Sequence, residues 1–220
     1  MTRGLAVENE PLALLGGTFD PVHYGHLRCA EQARRELSLE YLYLLPAGQP
    51  PHRGAPRASV AQRLEMLALA RAEFPHLLID DRETRRAGPS YMVDTLQELR
   101  SMHPDRPLLL LIGQDAANQL HSWHRWRRLF DLAHIVILTR PAAHIDYEPD
   151  LAEQVALRAV NGARDLSASP AGAILQLDVE PVDVSATAIK RHIRSGKTPR
   201  GLLPEPVLAY ITENRLYQDA

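Results

Sequence analysis

Residues Leu12-Ala13-Leu14-Leu15-Gly16-Gly17-Thr18-Phe19-Asp20-Pro21-Val22-His23-Tyr24-Gly25-His26 join a short apolar run to a glycine pair and then to two histidines. An apolar run of this length, closed by glycine, suits a strand buried on both faces of a parallel sheet. The glycines let the backbone approach a ligand, Thr18 adds a hydroxyl and Pro21 stiffens the turn. His23 and His26 then open a helix whose free N–H groups favour an anion, and their spacing sets both imidazoles on one helical face. Alone, a glycine pair is usually a plain turn and a histidine usually a packed ring. Together at the first strand–helix junction they indicate a phosphate site. Asp20, His23 and His26 are also a set that can ligate Zn²⁺, but no glutamate base accompanies them, which ranks that reading lower.

The same alternation runs through the chain. Strands are expected at Leu12–Leu15, Tyr41–Leu45, Leu77–Asp80, Leu108–Ile112, Ile135–Thr139 and Ile174–Val179. Helices are expected at Gly25–Leu37, Val60–Glu73, Tyr91–Met102, Ala116–Leu129 and Leu151–Val160, then Ala186–Arg194 and Pro206–Asn214. In the second helix Leu64, Leu67, Leu69 and Ala70 form an apolar stripe, with Arg63, Glu65 and Arg71 elsewhere on the wheel. Such alternation predicts an α/β fold with a doubly wound, mainly parallel sheet and a C-terminal helical cap. At about 150 residues per domain, residues 1–220 are expected to form one domain. Within it, residues 1–11 are an N-terminal segment expected to be disordered and 185–220 the helical C-terminal part. Loops Pro46–Ser59 and Asp81–Ser90 follow strands directly, so both belong at the sheet edge where ligands bind.

Composition narrows the partners. With 25 Lys+Arg against 27 Asp+Glu the net charge is −2, so no global field draws the chain to nucleic acid or an anionic membrane. Cys29 is the single cysteine, which excludes a scaffold stapled by internal disulfides. Met1–Pro11 lacks a signal pattern, and the longest apolar runs are too short to cross a bilayer. A cytoplasmic protein is expected; the sequence does not read out its oligomeric state.

A second constellation is Val184-Ser185-Ala186-Thr187-Ala188-Ile189-Lys190. Ser185 suits an N-cap and Thr187 the first helical turn, where hydroxyls and orphan N–H groups can hold phosphates beside Lys190 and Arg191. Read alone, it is equally a capped helix with surface bases. Gly17–His26 is similar to the signature of the HxGH nucleotidyltransferase superfamily, and Val184–Lys190 resembles that superfamily's second motif. The resemblance implies a Rossmann-like nucleotidyltransferase fold and transfer of a nucleotidyl group with release of pyrophosphate. Lys190 stands where arginine is usual; it keeps the charge but loses bidentate geometry, so Arg191 also competes for that role.

The middle of the chain bears on the acceptor. Pro46-Ala47-Gly48-Gln49-Pro50-Pro51-His52-Arg53, Gly88-Pro89-Ser90-Tyr91-Met92-Val93-Asp94-Thr95, Ile112-Gly113-Gln114-Asp115 and His121-Ser122-Trp123-His124-Arg125-Trp126 resemble segments of the bacterial nicotinate-nucleotide adenylyltransferase family. Met92 replaces a frequent threonine. The tail Leu202–Ile211 is also similar to the family's C-terminal helix. The resemblance implies ATP and nicotinate mononucleotide as substrates, with Mg²⁺ carried on the ATP phosphates and no metal ligands from the chain.

It also implies the roles. His23 and His26 are the catalytic pair. Gly16, Gly17, Thr18, Phe19, Gly113, Asp115, Ser185, Thr187 and Lys190 face ATP. His52, Arg53, Tyr91, Met92, Thr95, Trp123 and His124 face the mononucleotide, with Trp123 stacked on the pyridine ring and Trp126 in the core. The rivals within the superfamily are nicotinamide-mononucleotide, phosphopantetheine and glycerol-phosphate transferases. Outside it stand a metal-dependent phosphohydrolase using the histidines and Asp115, and a silent nucleotide sensor.

Overall fold

In a computed structural model, residues 10–51, 54–140 and 144–218 are described. Their strands form one seven-stranded, wholly parallel sheet, with β1 Leu12–Gly17, β2 Leu42–Pro46, β3 Leu77–Ile79, β4 Leu108–Gly113, β5 His134–Thr139, β6 Ala159–Val160 and β7 Ile174–Asp178. The order is β3-β2-β1-β4-β5-β7-β6. Chain direction across the sheet therefore reverses between β1 and β4, where Leu15 pairs with Leu111. An open α/β sheet binds ligands at the carboxyl ends beside such a switch point. Here those ends are Gly16–Gly17 and Gly113.

The apolar runs bury alternate residues on opposite faces, as the period of two requires. Ala13, Leu15, Leu109, Leu111, Val136 and Leu138 enter one core cluster. Leu12, Leu14, Leu108, Leu110, Ile135 and Ile137 enter the other. The first face is covered by α1 (Tyr24–Glu36) and α2 (Val60–Ala70), and by Ile189 of α8 (Ala186–Arg194) and Val207, Leu208 and Ile211 of α9 (Glu205–Glu213). The second packs on α4 (Met92–Met102), α6 (Leu129–Leu132) and Leu151 of α7 (Pro149–Arg158).

Several expectations need correction. The helix expected over Ala116–Leu129 is broken into α5 (Gln114–Asn118), two 3₁₀ turns at Leu120–Ser122 and Trp126–Arg128, and α6. Arg125 at φ 53° is left-handed, which no helix continues through. Asn118 turns its amide to the His144 carbonyl, and Ser122 bonds back to Gln119, local bonds that compete with helix. Residues 159–160, expected as the end of a helix, are strand β6 at the sheet edge, too short to leave a pattern. The four-residue α3 (Arg82–Arg85) lies inside what was expected to be loop.

The N-terminal expectation concerns mostly residues 1–9, outside the described residues; Glu10 is placed, its carbonyl accepting from Arg106 Nε at 2.6 Å. No described helix is long and apolar enough to cross a membrane.

Candidate active site

The loop leaving β1 turns sharply because Phe19 takes a left-handed φ of 49°. Glycine before it has a packing reason as well as the expected one. A Cβ on Gly17 would lie 2.9 Å from the Phe19 ring, and one on Gly16 3.0 Å from Met92 Cε. Met92, expected on the acceptor side, thus lies against the glycine loop after β1.

His23 is the N-cap of α1 in extended conformation, and its ring stacks on His26 with centroids 3.8 Å apart. The Phe19 ring approaches His26 edge-on at 5.0 Å. The structure therefore brings together the two imidazoles that the spacing paired. His23 is 5% exposed, and burial pushes its imidazole down to about 4. At neutral pH it is an uncharged ring, and its Nδ1 has no hydrogen-bond partner among the described residues. Gly25 between them has no room for a side chain. A Cβ there would lie 2.9 Å from the His23 ring and 3.0 Å from the Val184 carbonyl oxygen. The backbone entering the second motif is thus packed onto the glycine of the first.

Ser185 caps α8, its side chain accepting from the Ala188 N–H at 3.2 Å, as expected. Thr187 is exposed. Lys190 runs inward, its Nζ 3.0 Å from Asp20 Oδ2. Asp20 also accepts from the N–H groups of Arg57 at 3.1 Å and Ala58 at 3.0 Å, and from Tyr217 OH at 2.8 Å. Burial pushes the Asp20 carboxyl up, but these four donors outweigh it and hold the group below its ordinary value. Beside it, burial and the Asp20 charge push the Tyr217 phenol up.

Of the residues expected to face the mononucleotide, Tyr91 packs on His124 with ring centroids 4.3 Å apart. Trp123 is partly buried against the second core cluster, whereas Trp126 lies within it at 8% exposed. Thr95 is fully buried, its hydroxyl donating to Glu83 Oε1 at 2.7 Å and accepting from Arg86 at 3.1 Å, which ties α4 to the loop before it. Ser90 Oγ accepts from the N–H groups of Gly48 and Gln49 at 2.9 and 3.1 Å, fastening the two loops to each other. Burial pushes the Glu83 carboxyl up. Gly113 caps α5, and Asp115 is almost wholly exposed, 3.8 Å from Arg140. The buried side chain there is Gln114, which donates to Asn118 and Tyr147. His52 and Arg53 lie outside the described residues.

Arg63 is the residue that sequence reasoning missed. It is 1% exposed, and its guanidinium donates to the carbonyls of Thr18 at 2.8 Å, Ala47 at 2.7 Å and Gly48 at 3.3 Å. The signal was its position: Arg63, Met66, Leu67 and Ala70 are the buried residues of α2, at spacings of three, four and seven.

Among the described residues, no group of three or more His, Cys, Asp or Glu is placed to hold a metal ion. Asp20 is turned to Lys190 and Tyr217, which breaks up the zinc set with His23 and His26.

Residues 14–192 match the family model described as cytidylyltransferase-like. A protein of Methylococcus capsulatus named "Probable nicotinate-nucleotide adenylyltransferase" is 47% identical over 207 residues, covering 94% of this chain and 99% of its own. One of the same name from Aeromonas hydrophila is 46% identical over 210 residues, covering 96% and 98%. Among solved structures, Plasmodium falciparum nicotinic acid mononucleotide adenylyltransferase complexed with NaAD is similar with a TM-score of 0.73 at 13% identity, covering 94% of this chain and 97% of that one. At that identity the likeness speaks for the fold, a Rossmann-like nucleotidyltransferase sheet.

Proposed function

The chain belongs to the nicotinate-nucleotide adenylyltransferase family, and we infer that it transfers the adenylyl group of ATP to nicotinate mononucleotide, a step of NAD biosynthesis that yields nicotinate adenine dinucleotide and pyrophosphate. The observation that carries the site is the stacked pair His23–His26 beside the glycine loop at the switch point of the sheet.

A phosphate oxygen of the mononucleotide attacks the α-phosphorus of ATP in line. The bond from that phosphorus to the bridging oxygen breaks, and pyrophosphate leaves with the electron pair. The acceptor brings its own nucleophile, so the chain positions the reactants and stabilises charge. His23, uncharged at neutral pH, donates a hydrogen bond to a phosphate oxygen, and His26 lies against the same group. Gly16, Gly17, Thr18 and Phe19 bring backbone and a hydroxyl to the phosphates. Ser185, Thr187 and Lys190, with Arg191 exposed beside them, take the pyrophosphate side. Gly113 and Asp115 take polar groups of the nucleotide.

Mg²⁺ on the ATP phosphates offsets their charge during the transfer. Tyr91, Met92, Trp123 and His124 form the acceptor side, to which the family resemblance adds His52 and Arg53. Trp123 stacks on the pyridine ring. The residues described act as one cytoplasmic catalytic domain.

The test is Mg²⁺-dependent pyrophosphate release from ATP, comparing nicotinate mononucleotide, nicotinamide mononucleotide and phosphopantetheine as acceptors. Release that strongly favours the nicotinate acceptor supports the reading. Release favouring another acceptor overturns the acceptor-side roles, and none with any acceptor overturns the transferase reading for this chain.

A further inference from the structure

Arg63 is the largest fully buried side chain among the described residues, and a buried cation is costly unless something needs it. Its position on the apolar face of α2 would suit leucine or methionine. The attraction of the Asp20 carboxylate only partly offsets the burial that pushes the guanidinium down, and Arg63 Nε has no hydrogen-bond partner among the described residues. Its three other bonds all end on backbone carbonyls. Those carbonyls belong to the two loops that flank the site, Thr18 after β1 and Ala47–Gly48 after β2.

Direction gives these bonds a consequence. In a planar trans peptide the C=O and N–H point opposite ways. Drawing the Thr18 carbonyl onto Arg63 turns the Phe19 N–H of the same peptide away from the guanidinium. The capping box of Ser59 and Gln62 fixes the start of α2 one residue earlier, so the guanidinium is held from a rigid base. One rigid planar fork with donors on two loops also sets the spacing between them, which a lysine ammonium cannot do in the same geometry.

We propose that Arg63 is a positioning residue for adenylyl transfer: its buried guanidinium orients the Thr18–Phe19 peptide toward the phosphates and fixes the 46–48 loop relative to it. This rests on the functional reading above, so wild-type turnover is measured first.

Arg63→Met keeps the volume and removes the fork; Arg63→Lys keeps a donor. Where circular dichroism shows Arg63→Met folded, kcat is expected to fall about 100-fold, the effect of a small misplacement of reacting groups. Arg63→Lys is expected to recover part of that loss. A purely structural role would lower Tm and leave kcat of the folded enzyme intact. A folded Arg63→Met with kcat and both KM values within twofold of wild type overturns the proposal.

If neither variant folds, amide NMR of the wild type with added pyrophosphate decides. The Phe19 N–H resonance is expected to shift, and an unmoved Phe19 amide with pyrophosphate bound overturns the orientation. An inactive wild type would sink the functional reading alone, because the Phe19 measurement still reads the peptide.

Discussion

Lys190 and Asp20 are 170 residues apart in sequence, and their side chains meet at 3.0 Å. That contact ties the segment Val184–Lys190 to the loop after β1. It also ties both to the chain end, because Tyr217 donates to the other oxygen of Asp20. Lys190 therefore reaches the site from an anchored position, and the carboxylate partly offsets its charge.

Asp20→Ala would strand Lys190, Tyr217 and two backbone N–H groups. A loss of about 3 kcal/mol in urea unfolding is expected, the cost of removing one partner from a mostly buried pair. The folded Asp20 carboxyl lies below its ordinary value of 3.8. Its stabilising contribution is therefore present above the unfolded value and lost as pH falls below it. In Asp20→Asn that acid loss should be smaller, as denaturant melts between pH 5 and 2 would show.

His23 makes a prediction in a different pH window. Its imidazole sits at about 4 when folded against 6.5 as the reference. The unfolded chain then binds the proton first as pH drops, so stability falls from pH 6.5 toward 4 and levels off below. The gap corresponds to about 3 kcal/mol. His23→Asn should abolish this component of the pH dependence. His23→Ala and His26→Ala should each lower kcat by about 100- to 1,000-fold with the fold kept, the range for loss of one positioned donor.

Gly25→Ala would place a methyl 2.9 Å from the His23 ring and 3.0 Å from the Val184 carbonyl oxygen. The ring must move or the entry to α8 must. Loss of about tenfold or more in kcat is expected, with a circular dichroism spectrum like that of wild type. Full activity would mean that the two motifs adjust independently.

Trp123→Ala should raise the acceptor KM about tenfold through lost stacking and leave the ATP KM unchanged. Trp126→Ala, by contrast, should act on Tm, because Trp126 is buried with its ring edge-on to Phe130. An ATP KM that rises along with the acceptor KM in Trp123→Ala would place the indole elsewhere.

Much of this was legible along the chain. Parallel strands announced themselves through unbroken apolar runs, because a strand covered on both faces has no polar side to show. Glycines, imidazoles and hydroxyls at strand–helix junctions marked the two motifs that the fold packs together, Gly25 lying against the Val184 carbonyl. Local pattern failed where a single backbone angle or a distant partner decided the outcome. Ala116–Leu129 looks helical in composition, yet α5 stops at Asn118 and Arg125 at φ 53° keeps the following turns from joining it. The buried bonds of Thr95 to Glu83 and Arg86 join residues 9 and 12 positions away, which no local pattern carries.

The sequence by itself determined most of the alternating elements and the sheet type, since these follow from periodicity and from side-chain chemistry at short range. Only the tertiary structure decided what each polar group faces. Arg63 looked like a surface base and lies in the core, because three carbonyls from loops 15 to 45 positions away converge on it. Lys190 looked free for phosphate and is paired, because folding brings Asp20 beneath it. A buried charge is tolerated only where its partners meet it in space, and that meeting is a property of the packed fold.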